Sequence, residues 1–337
     1  METIHMSMGV IVFLVALALA FDFMNGFHDA ANAIATVVST RVMKPYQAVL
    51  LATVCNVVAI FVFELKVAAT VGKGTIEPSV IDHYVVFGAL IGAIAWNVIT
   101  WYYGIPSSSS HALIGGLIGA AVAKAGFGSL ISAGLVKTIS FIFLSPLLGM
   151  LLGSLMMLIM SWVFRGSTPR KVDRWSSRLQ LVSASAYALG HGGNDAQKTI
   201  GIIWMLLIAA GITGPKEHVP YWVVVACYSA IGLGTAFGGW RIIKLMGQKI
   251  TKLRPVGGFC AQTGGAATLF LATGFGIPVS TTHTITGAIM GVGLTKRVTA
   301  VRWGVTRKLL VAWLLTIPVS MALAALVYWI FMLFGLN

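Results

Sequence analysis

Three aspartates, Asp22, Asp29 and Asp195, lie inside otherwise apolar stretches of this 337-residue sequence, and Lys198 follows the last of them. The whole chain has only nine acidic residues. An ionised side chain at the centre of a bilayer costs about 3 kcal/mol on insertion scales, so a charge in an apolar stretch indicates a functional site. Because carboxylates are hard oxygen ligands, these aspartates are candidate ligands of a cation.

Neutral polar residues and glycines surround the aspartates. The polar neighbours are Asn25, His28, Asn32, His191, Asn194 and Gln197. Gly26, Gly192 and Gly193 favour a break in each helix, and the free backbone N–H groups at such a break attract anions. We therefore expect a broken span at each aspartate motif. The motif histidines, which include His111 and His283, are candidate proton carriers or hydrogen-bonded spacers.

Two hydroxyl-rich turns follow Gly-Ile-Pro sequences at residues 104–106 and 276–278. Proline ends the incoming helix and a serine or threonine caps the next one, so each turn predicts the tip of a helical hairpin. We expect these hairpins at Tyr84–Ala123 and Gly258–Leu294. Helix ends rich in donors suit a small tetrahedral oxyanion, although N-capping alone is the simpler role. The candidate anion ligands are Ser108, Ser109, Ser110, Ser280, Thr281 and Thr282.

The charges of these residues limit what the site can bind. The three aspartates and Lys198 carry a net charge of −2 when all are ionised. A divalent anion is strongly repelled by that charge in a low-dielectric environment, so cations must enter with it. The candidate cations are H⁺, Na⁺ and a divalent metal ion, with Asp29 and Asp195 as metal ligands. The candidate coupling-cation residues are Asp22, Asn25, His28, Asp29 and Asp195.

The composition indicates which elements position these residues. Hydrophobic residues make up 58% of the chain and charged residues only 9%, and the apolar residues form about ten segments. Blocks of about twenty such residues cross a hydrocarbon core of roughly 30 Å as helices. The sequence therefore predicts an all-α polytopic membrane protein and excludes a soluble enzyme, a disulfide scaffold and a membrane β-barrel. The excess of lysine and arginine lies in loops, where it sets topology rather than binding nucleic acid.

The motifs recur in the same order along the chain, which predicts two repeats. The first aspartate motif and hairpin turn fall in residues 1–164, and their counterparts fall in residues 179–337. Pro146 and Pro318 recur at matching places in the last long segment of each repeat. Residues 165–178 form a basic linker between the repeats. Each repeat is expected to contain a broken span, a whole span, a hairpin and a long final segment.

Positive charge in the loops predicts how the chain is oriented. The linker, Arg241–Arg254 and Lys296–Lys308 each hold five positive residues, so all three are expected on the cytoplasmic side. Glu64–His83 and Gly211–Pro220 mix signs and are expected outside. Counting the passes gives the two repeats inverted topology and places both termini outside, as in many secondary transporters. We expect re-entrant hairpins, because a cluster of serines fits a cavity better than lipid.

The paired motifs resemble those of the inorganic phosphate transporter (PiT) family over essentially the whole chain. Residues 25–32 resemble the first signature and residues 192–198 the second. His28 and the Gln197-Lys198 pair depart from the sodium-coupled branch and are similar to the bacterial low-affinity phosphate permeases. The resemblance implies a homodimeric symporter in the cell membrane that imports inorganic phosphate by alternating access. It also implies coupling to protons and cargo in the form of metal–phosphate complexes.

The resemblance also implies roles for individual residues. Asp29, Asn32, Asn194 and Asp195 would form the cation and phosphate site, and the hydroxyl turns would contact phosphate. Gln197 and Lys198 join the candidate phosphate ligands. We further hypothesise that the Lys198 ammonium is a tethered charge, held where sodium-coupled relatives take a second sodium ion.

Other activities explain less of the sequence. A sodium-coupled phosphate symporter, a sulfate symporter and a carrier of divalent cations are the alternatives within transport. From a different class, Ser109–His111 suggests an intramembrane hydrolase or phosphatase, but no arginine lies in any span to clamp a phosphoryl group. A passive channel needs no pair of inverted repeats. The sequence therefore predicts a transporter, not an enzyme, with no cofactor beyond the cotransported cation.

Overall fold

The computed structural model describes residues 7–214, 217–238, 242–243 and 245–334. Within these residues the chain forms eleven α-helices and no β-strand, which confirms the all-helical expectation. The helices are α1 Met8–Ser39, α2 Pro45–Val58, α3 Lys66–Gly74, α4 His83–Tyr102, α5 Ser109–Ala125, α6 Ser132–Val163, α7 Pro169–Ala209, α8 Tyr221–Phe237, α9 Pro255–Gly274, α10 Thr281–Leu294 and α11 Trp303–Leu333.

Four helices of the described chain are long and apolar enough to cross a membrane, namely α1, α4, α6 and α11. A fifth span is formed if Pro45–Phe61 and Lys66–Gly72 count together, although they are bent by 83°. This is fewer than the ten or so apolar segments expected. The hairpin helices α5 and α10 have 17 and 14 residues, and α8 has 17, so each is shorter than the ~20 residues that a span requires.

The expected break at each aspartate motif is wrong, because α1 and α7 run through their motifs as continuous helices. The motif glycines instead allow another helix to approach closely. A Cβ atom at Gly192 would lie 2.7 Å from Asn56 Cα on α2. Gly26 lies in the same way against the backbone of Ile231 on α8. Glycine at these positions therefore serves packing between helices, and the sharp bend lies instead between α2 and α3.

Both predicted hairpins are present, as α4 with α5 and as α9 with α10. Gly104 and Gly276 end the incoming helices with φ angles of 65° and 64°, in the left-handed region that glycine adopts readily. Ser108 and Ser280 then cap the outgoing helices, because their hydroxyls accept from backbone N–H groups at 3.2 Å. The polar turns thus follow the same local rules in both halves of the chain.

The two halves of the chain pack into each other rather than side by side. The first hairpin, α4 and α5, packs against α11, while the second hairpin, α9 and α10, packs against α6. The first helix of each half also packs against a shorter helix of the other half. Thus α1 packs against α8, and α7 packs against α2. Because α7 begins at Pro169, most of the predicted linker at residues 165–178 is helical.

The chain segments that flank the first hairpin lie together. Ile76, before α4, forms an isolated antiparallel bridge with Leu130, after α5. The Lys124 ammonium near the end of α5 donates to Asp82 Oδ2, at 2.7 Å, at the start of α4. The first hairpin therefore begins and ends at the same face of the molecule.

The segments that flank the second hairpin also lie together. Arg302 N–H, after α10, donates to the Ile250 carbonyl, before α9, at 2.9 Å. The Arg254 guanidinium, beside the start of α9, lies 3.1 Å from Asp173 Oδ2 at the start of α7. The 32-residue α6 joins the face of the first hairpin to the segment before α7, and a straight helix of that length spans about 48 Å.

Candidate substrate and cation site

Asp195 lies about two-thirds of the way along α7 with its side chain fully buried, and both hairpins donate to it. The Ser110 hydroxyl, in the first turn of α5, lies 3.4 Å from Asp195 Oδ1. The Thr281 hydroxyl, at the start of α10, donates to Asp195 Oδ2 at 3.0 Å. The hydroxyl turns predicted from the sequence therefore meet at one carboxylate.

Lys198 is buried one helical turn after Asp195, with 1% of its surface exposed. Its ammonium donates to Asp195 Oδ1 at 2.5 Å, to the Ser110 hydroxyl at 2.5 Å and to the Val279 carbonyl at 2.6 Å. A lysine ammonium has three N–H donors, and these three oxygens take all of them. Lys198 was expected to bind phosphate, but in this structure its donors are taken by oxygens of the protein.

Asp29 occupies the corresponding position on α1 and is 2% exposed. His28 Nδ1 lies 2.8 Å from Asp29 Oδ1, and the Thr282 hydroxyl donates to the same oxygen at 3.3 Å. The Asn32 amide donates to the Thr282 hydroxyl at 2.9 Å. Adjacent threonines at the start of α10, Thr281 and Thr282, therefore serve the aspartates of the two long helices.

Asp29, His191 and Asp195 each offer one ligand atom, and these atoms lie within 4.8 Å of one another. His191 Nε2 lies 3.3 Å from Asp195 Oδ2, and its Nδ1 lies 3.1 Å from Asn56 Oδ1. If Nδ1 carries the proton and donates to Asn56, the lone pair of Nε2 faces the carboxylates, as in many metal-binding histidines. Two carboxylates and one imidazole make a donor set that fits a divalent metal ion.

Asp22 is fully buried on α1, two turns before Asp29. The Thr199 hydroxyl of α7 donates to Asp22 Oδ1 at 2.9 Å. Within the described part of the chain, Asp22 Oδ2 and Asn25 Oδ1 have no hydrogen-bond donor. A proton or a metal ion on Asp22 would supply what these two buried acceptors lack.

Gln197, predicted to bind phosphate, lies on another face of α7 and contacts α3 instead. Its Oε1 accepts from the Val67 and Ala68 N–H groups at 3.0 and 3.3 Å, and its amide donates to the Glu64 carbonyl at 2.9 Å. Residues two apart on a helix point in different directions, so Gln197 cannot share the face of Asp195. The prediction for Gln197 is corrected accordingly: its side chain caps α3.

Asn194 holds the tip of the second hairpin. Its amide donates to the Thr273 hydroxyl at 2.9 Å and to the Ile277 carbonyl at 3.2 Å, and its carbonyl accepts from Val279 N–H at 3.2 Å. Asn194 therefore positions the turn that supplies the Val279 carbonyl to Lys198.

The buried Ser109 hydroxyl, at the start of α5, has no hydrogen-bond partner within the described residues.

Comparison with known proteins identifies the family of this chain. The model of the phosphate transporter family matches residues 25–324. The chain belongs to the phosphate transporter family. A protein of Rhizobium meliloti (strain 1021), described as a probable low-affinity inorganic phosphate transporter, is 58% identical over 95% of this chain and 96% of its own length. A protein of Bacillus subtilis (strain 168) with the same description is 48% identical over the same shares of the two chains.

A solved structure described as the sodium-dependent phosphate transporter has the same fold. It is 24% identical in sequence, with a TM-score of 0.89 over 97% of this chain and 100% of that chain. The phosphate transporter family is a family of transporters rather than enzymes, so the expected absence of enzymatic activity and the membrane location follow from membership. The resemblance inferred from the paired motifs is confirmed.

Three residues that contact the site of this phosphate transporter family member were missed in the sequence. Asn56 orients His191, Thr199 donates to Asp22, and the Tyr187 hydroxyl donates to the Thr281 carbonyl at 2.8 Å. Asn56 had a usable signal, since it is an isolated amide in the apolar block at residues 48–63. Tyr187 and Thr199 gave none, because a tyrosine or threonine is unremarkable in an apolar helix.

The histidines of the hairpin turns come together across the two halves of the chain. The rings of His111 and His283 lie 4.5 Å apart with an edge-to-face arrangement, and His283 stacks on Trp313 at 3.8 Å. Both histidines are buried. Through the rings of His111 and His283, the two hairpins of this family member contact each other directly.

Proposed function

We propose that this protein is a secondary symporter that imports inorganic phosphate across the cell membrane together with a cation. The observation that supports this function is the convergence of Asp29 and Asp195 with hydroxyls of both hairpins. Membership in the phosphate transporter family and relatives described as probable low-affinity inorganic phosphate transporters favour phosphate as the cargo.

Phosphate would bind to the hydroxyls and to the helix ends of the two hairpins. Ser109, Ser110, Thr281 and Thr282 lie in the first turns of α5 and α10, where backbone N–H groups and the helix dipole favour an anion. Asn32, which donates to Thr282, would add an amide donor. Ser108 and Ser280 would act by capping these helices, which fixes the direction of their N–H groups.

The same hydroxyls explain why a cation must accompany phosphate. Ser110 and Thr281 donate to Asp195, and Thr282 donates to Asp29. Phosphate would take these donors, leaving Asp195 with Lys198 and Asp29 with His28 as hydrogen-bond partners beside a new negative charge. Buried carboxylates in that state are strongly destabilised, so a proton or a metal ion must bind with the anion.

Two positions would receive the cation. A divalent metal ion that travels with phosphate would bind between Asp29, His191 and Asp195, where three ligand atoms lie within 4.8 Å of one another. A coupling proton would bind to Asp22, whose Oδ2 has no hydrogen-bond partner among the described residues. His28 Nδ1, which lies 2.8 Å from Asp29 Oδ1, would stabilise the negative charge of this carboxylate.

Alternating access between inverted halves fits the packing of the helices. The first hairpin begins and ends near Ile76 and Leu130, and the second near Ile250 and Arg302. The α6 helix, whose 32 residues would span about 48 Å if straight, leads from the first of these faces towards the second, so the hairpins would enter from opposite sides. Their tips would meet at the aspartates in the middle of the membrane. The homodimer and the external termini implied above stay predictions.

Uptake of labelled phosphate into proteoliposomes tests this function. The pH, sodium and magnesium gradients are imposed one at a time, with membrane potential clamped. We expect accumulation to follow the proton gradient, to increase with external divalent metal, and to compete with arsenate but not with sulfate. Accumulation driven by the sodium gradient would support a sodium-coupled symporter instead, and competition by sulfate would support a sulfate carrier.

A further inference from the structure

We propose that the Lys198 ammonium is a resident monovalent cation, which fills an oxygen-lined cation site beside Asp195. The inference deepens the proposed function, since the site in question is part of the transport site. On this view the carrier needs no free sodium or potassium ion at this position, because the chain supplies the charge itself.

The oxygens around the ammonium are those that a bare metal cation selects. They are one carboxylate oxygen of Asp195, one hydroxyl oxygen of Ser110 and one backbone carbonyl oxygen of Val279. Hard cations bind this mixture of carboxylate, hydroxyl and carbonyl oxygens. The three oxygens come from three separate elements, namely α7, α5 and the turn before α10. An ordinary ion pair between Lys198 and Asp195 requires only the first of them.

The Val279 carbonyl is free for this role because it lies outside the helix. Ser280 is the N-cap of α10 and its own carbonyl accepts the first helical hydrogen bond, from Thr284 N–H at 3.0 Å. Asn194 holds the turn by accepting from Val279 N–H at 3.2 Å. The chain therefore fixes a carbonyl in a buried position, where, among the described residues, the Lys198 ammonium donates to it.

The ammonium uses all of its donors on these oxygens and is buried, so it has no N–H left for phosphate. Its charge also stays when phosphate and the cotransported cation leave. Asp195 consequently keeps one positive partner in the empty carrier. An exchangeable ion at the same place would have to bind in every cycle, and its concentration would control transport.

Removal of the ammonium provides the test. Lys198→Ala leaves the three oxygens with a space beside them, whereas Lys198→Met removes the charge but keeps most of the volume. The thermal unfolding of each purified full-length variant is measured in sodium chloride and in choline chloride at equal concentration. Binding of an ion to the folded state raises its stability with ion concentration, so Lys198→Ala should gain a saturable, sodium-specific rise in unfolding temperature.

Three controls decide whether the rise belongs to this site. The wild-type protein and Lys198→Met should show no sodium-specific rise. The double variant Lys198→Ala/Asp195→Asn, which lacks the carboxylate, should lose it. A Lys198→Ala protein that folds in sodium chloride but not in choline chloride supports the proposal. Equal unfolding temperatures of Lys198→Ala in both salts, or failure of this variant to fold in both salts, would overturn it. A sodium-specific rise in the wild-type protein would also overturn it.

A transport measurement separates this inference from the proposed function. Exchange of labelled phosphate by wild-type proteoliposomes tests phosphate transport alone, without any sodium. Where exchange occurs, sodium should increase the exchange rate of Lys198→Ala by about tenfold or more, which corresponds to about 1.4 kcal/mol of binding energy. The exchange rate of the wild-type protein should not change. Absence of wild-type exchange would refute the proposed function, while the unfolding measurement would still decide the role of Lys198.

Discussion

The Thr282 hydroxyl of the second hairpin donates to Asp29 Oδ1 on the first long helix, at 3.3 Å. The equivalent hydroxyl of the first hairpin, Ser110, lies 3.4 Å from Asp195 on the other long helix. Each hairpin therefore serves the aspartate of the opposite half of the chain. A movement of the first hairpin changes the environment of Asp195, and a movement of the second changes that of both carboxylates, because Thr281 also donates to Asp195. Access to the site is thereby linked with its charge.

We expect Asp29→Asn and Asp195→Asn each to lower phosphate uptake by roughly 10- to 100-fold, because each removes the charged acceptor of a buried hydrogen bond. Asp195→Asn should also destabilise the fold by about 3 kcal/mol, because the buried Lys198 ammonium loses its carboxylate. Uptake and thermal unfolding are measured on the same preparations. The control is Asp173→Asn, whose side chain forms an exposed pair with Arg254 and should change neither quantity.

The first of these results would be contradicted if Asp29→Asn transported phosphate at the wild-type rate. The second would be contradicted if Asp195→Asn were as stable as Asp29→Asn, since the hydrogen-bond partners of Asp29 among the described residues are His28 and Thr282 and not a lysine.

The hydroxyls at the start of the two hairpins should contribute in parallel to phosphate binding. We expect Ser110→Ala and Thr282→Ala each to raise the KM for phosphate by roughly tenfold, the loss of one hydrogen bond to a charged group. Thr282→Ser keeps the hydroxyl and should stay within about twofold of the wild type. Initial rates of uptake over a range of phosphate concentrations give KM. An unchanged KM in both alanine variants would remove these hydroxyls from the phosphate site.

The hairpins were predictable from sequence because their signals are local. Proline, a glycine in the left-handed region and a serine cap determine where one helix ends and the next begins, and both tips fall where the Gly-Ile-Pro sequences are. The aspartates were identifiable for a related reason, because a buried charge in an apolar segment is costly and rare.

The continuity of α1 and α7 was not predictable, because glycine is compatible with both a helix break and close helix packing. Which applies depends on the partner helix, and the sequence does not show that Asn56 approaches Gly192. The prediction that Gln197 faces the phosphate site failed for a different reason. The motif was interpreted as a continuous string, whereas a helix directs neighbouring side chains to different faces.

Gln197→Ala should therefore lower stability rather than affinity. The variant leaves the Val67 and Ala68 N–H groups at the start of α3 without their acceptor, which costs about 1–3 kcal/mol for a buried donor. We expect a lower unfolding temperature with an unchanged KM for phosphate. Gln197→Glu is the matched variant, since it keeps an oxygen acceptor for these N–H groups but loses the amide that donates to the Glu64 carbonyl. A large rise in KM without loss of stability would restore Gln197 to the phosphate site.

Asp22→Asn should separate phosphate binding from its energy source. Asparagine keeps the acceptor for the Thr199 hydroxyl but binds neither a proton nor a metal ion as a carboxylate does. We expect exchange of labelled phosphate across the membrane to continue, while accumulation driven by a pH gradient falls by roughly tenfold or more. Thr199→Ser, which keeps the hydroxyl, is the control. Equal accumulation by Asp22→Asn and the wild type would show that Asp22 is not the coupling residue.

The proposed inverted arrangement of the halves predicts where single cysteines can be labelled. Gly128 lies between α5 and α6, and Gly304 lies at the start of α11; both are exposed, and no atom lies within 4 Å of a Cβ built at either position. The cysteines of the described chain, Cys55, Cys227 and Cys260, are buried, so they give little background. A membrane-impermeant maleimide added to intact cells should label Gly128→Cys, whereas Gly304→Cys should react only after permeabilisation. Labelling of both from the same side would contradict inverted halves, because the two positions precede the equivalent long helices α6 and α11.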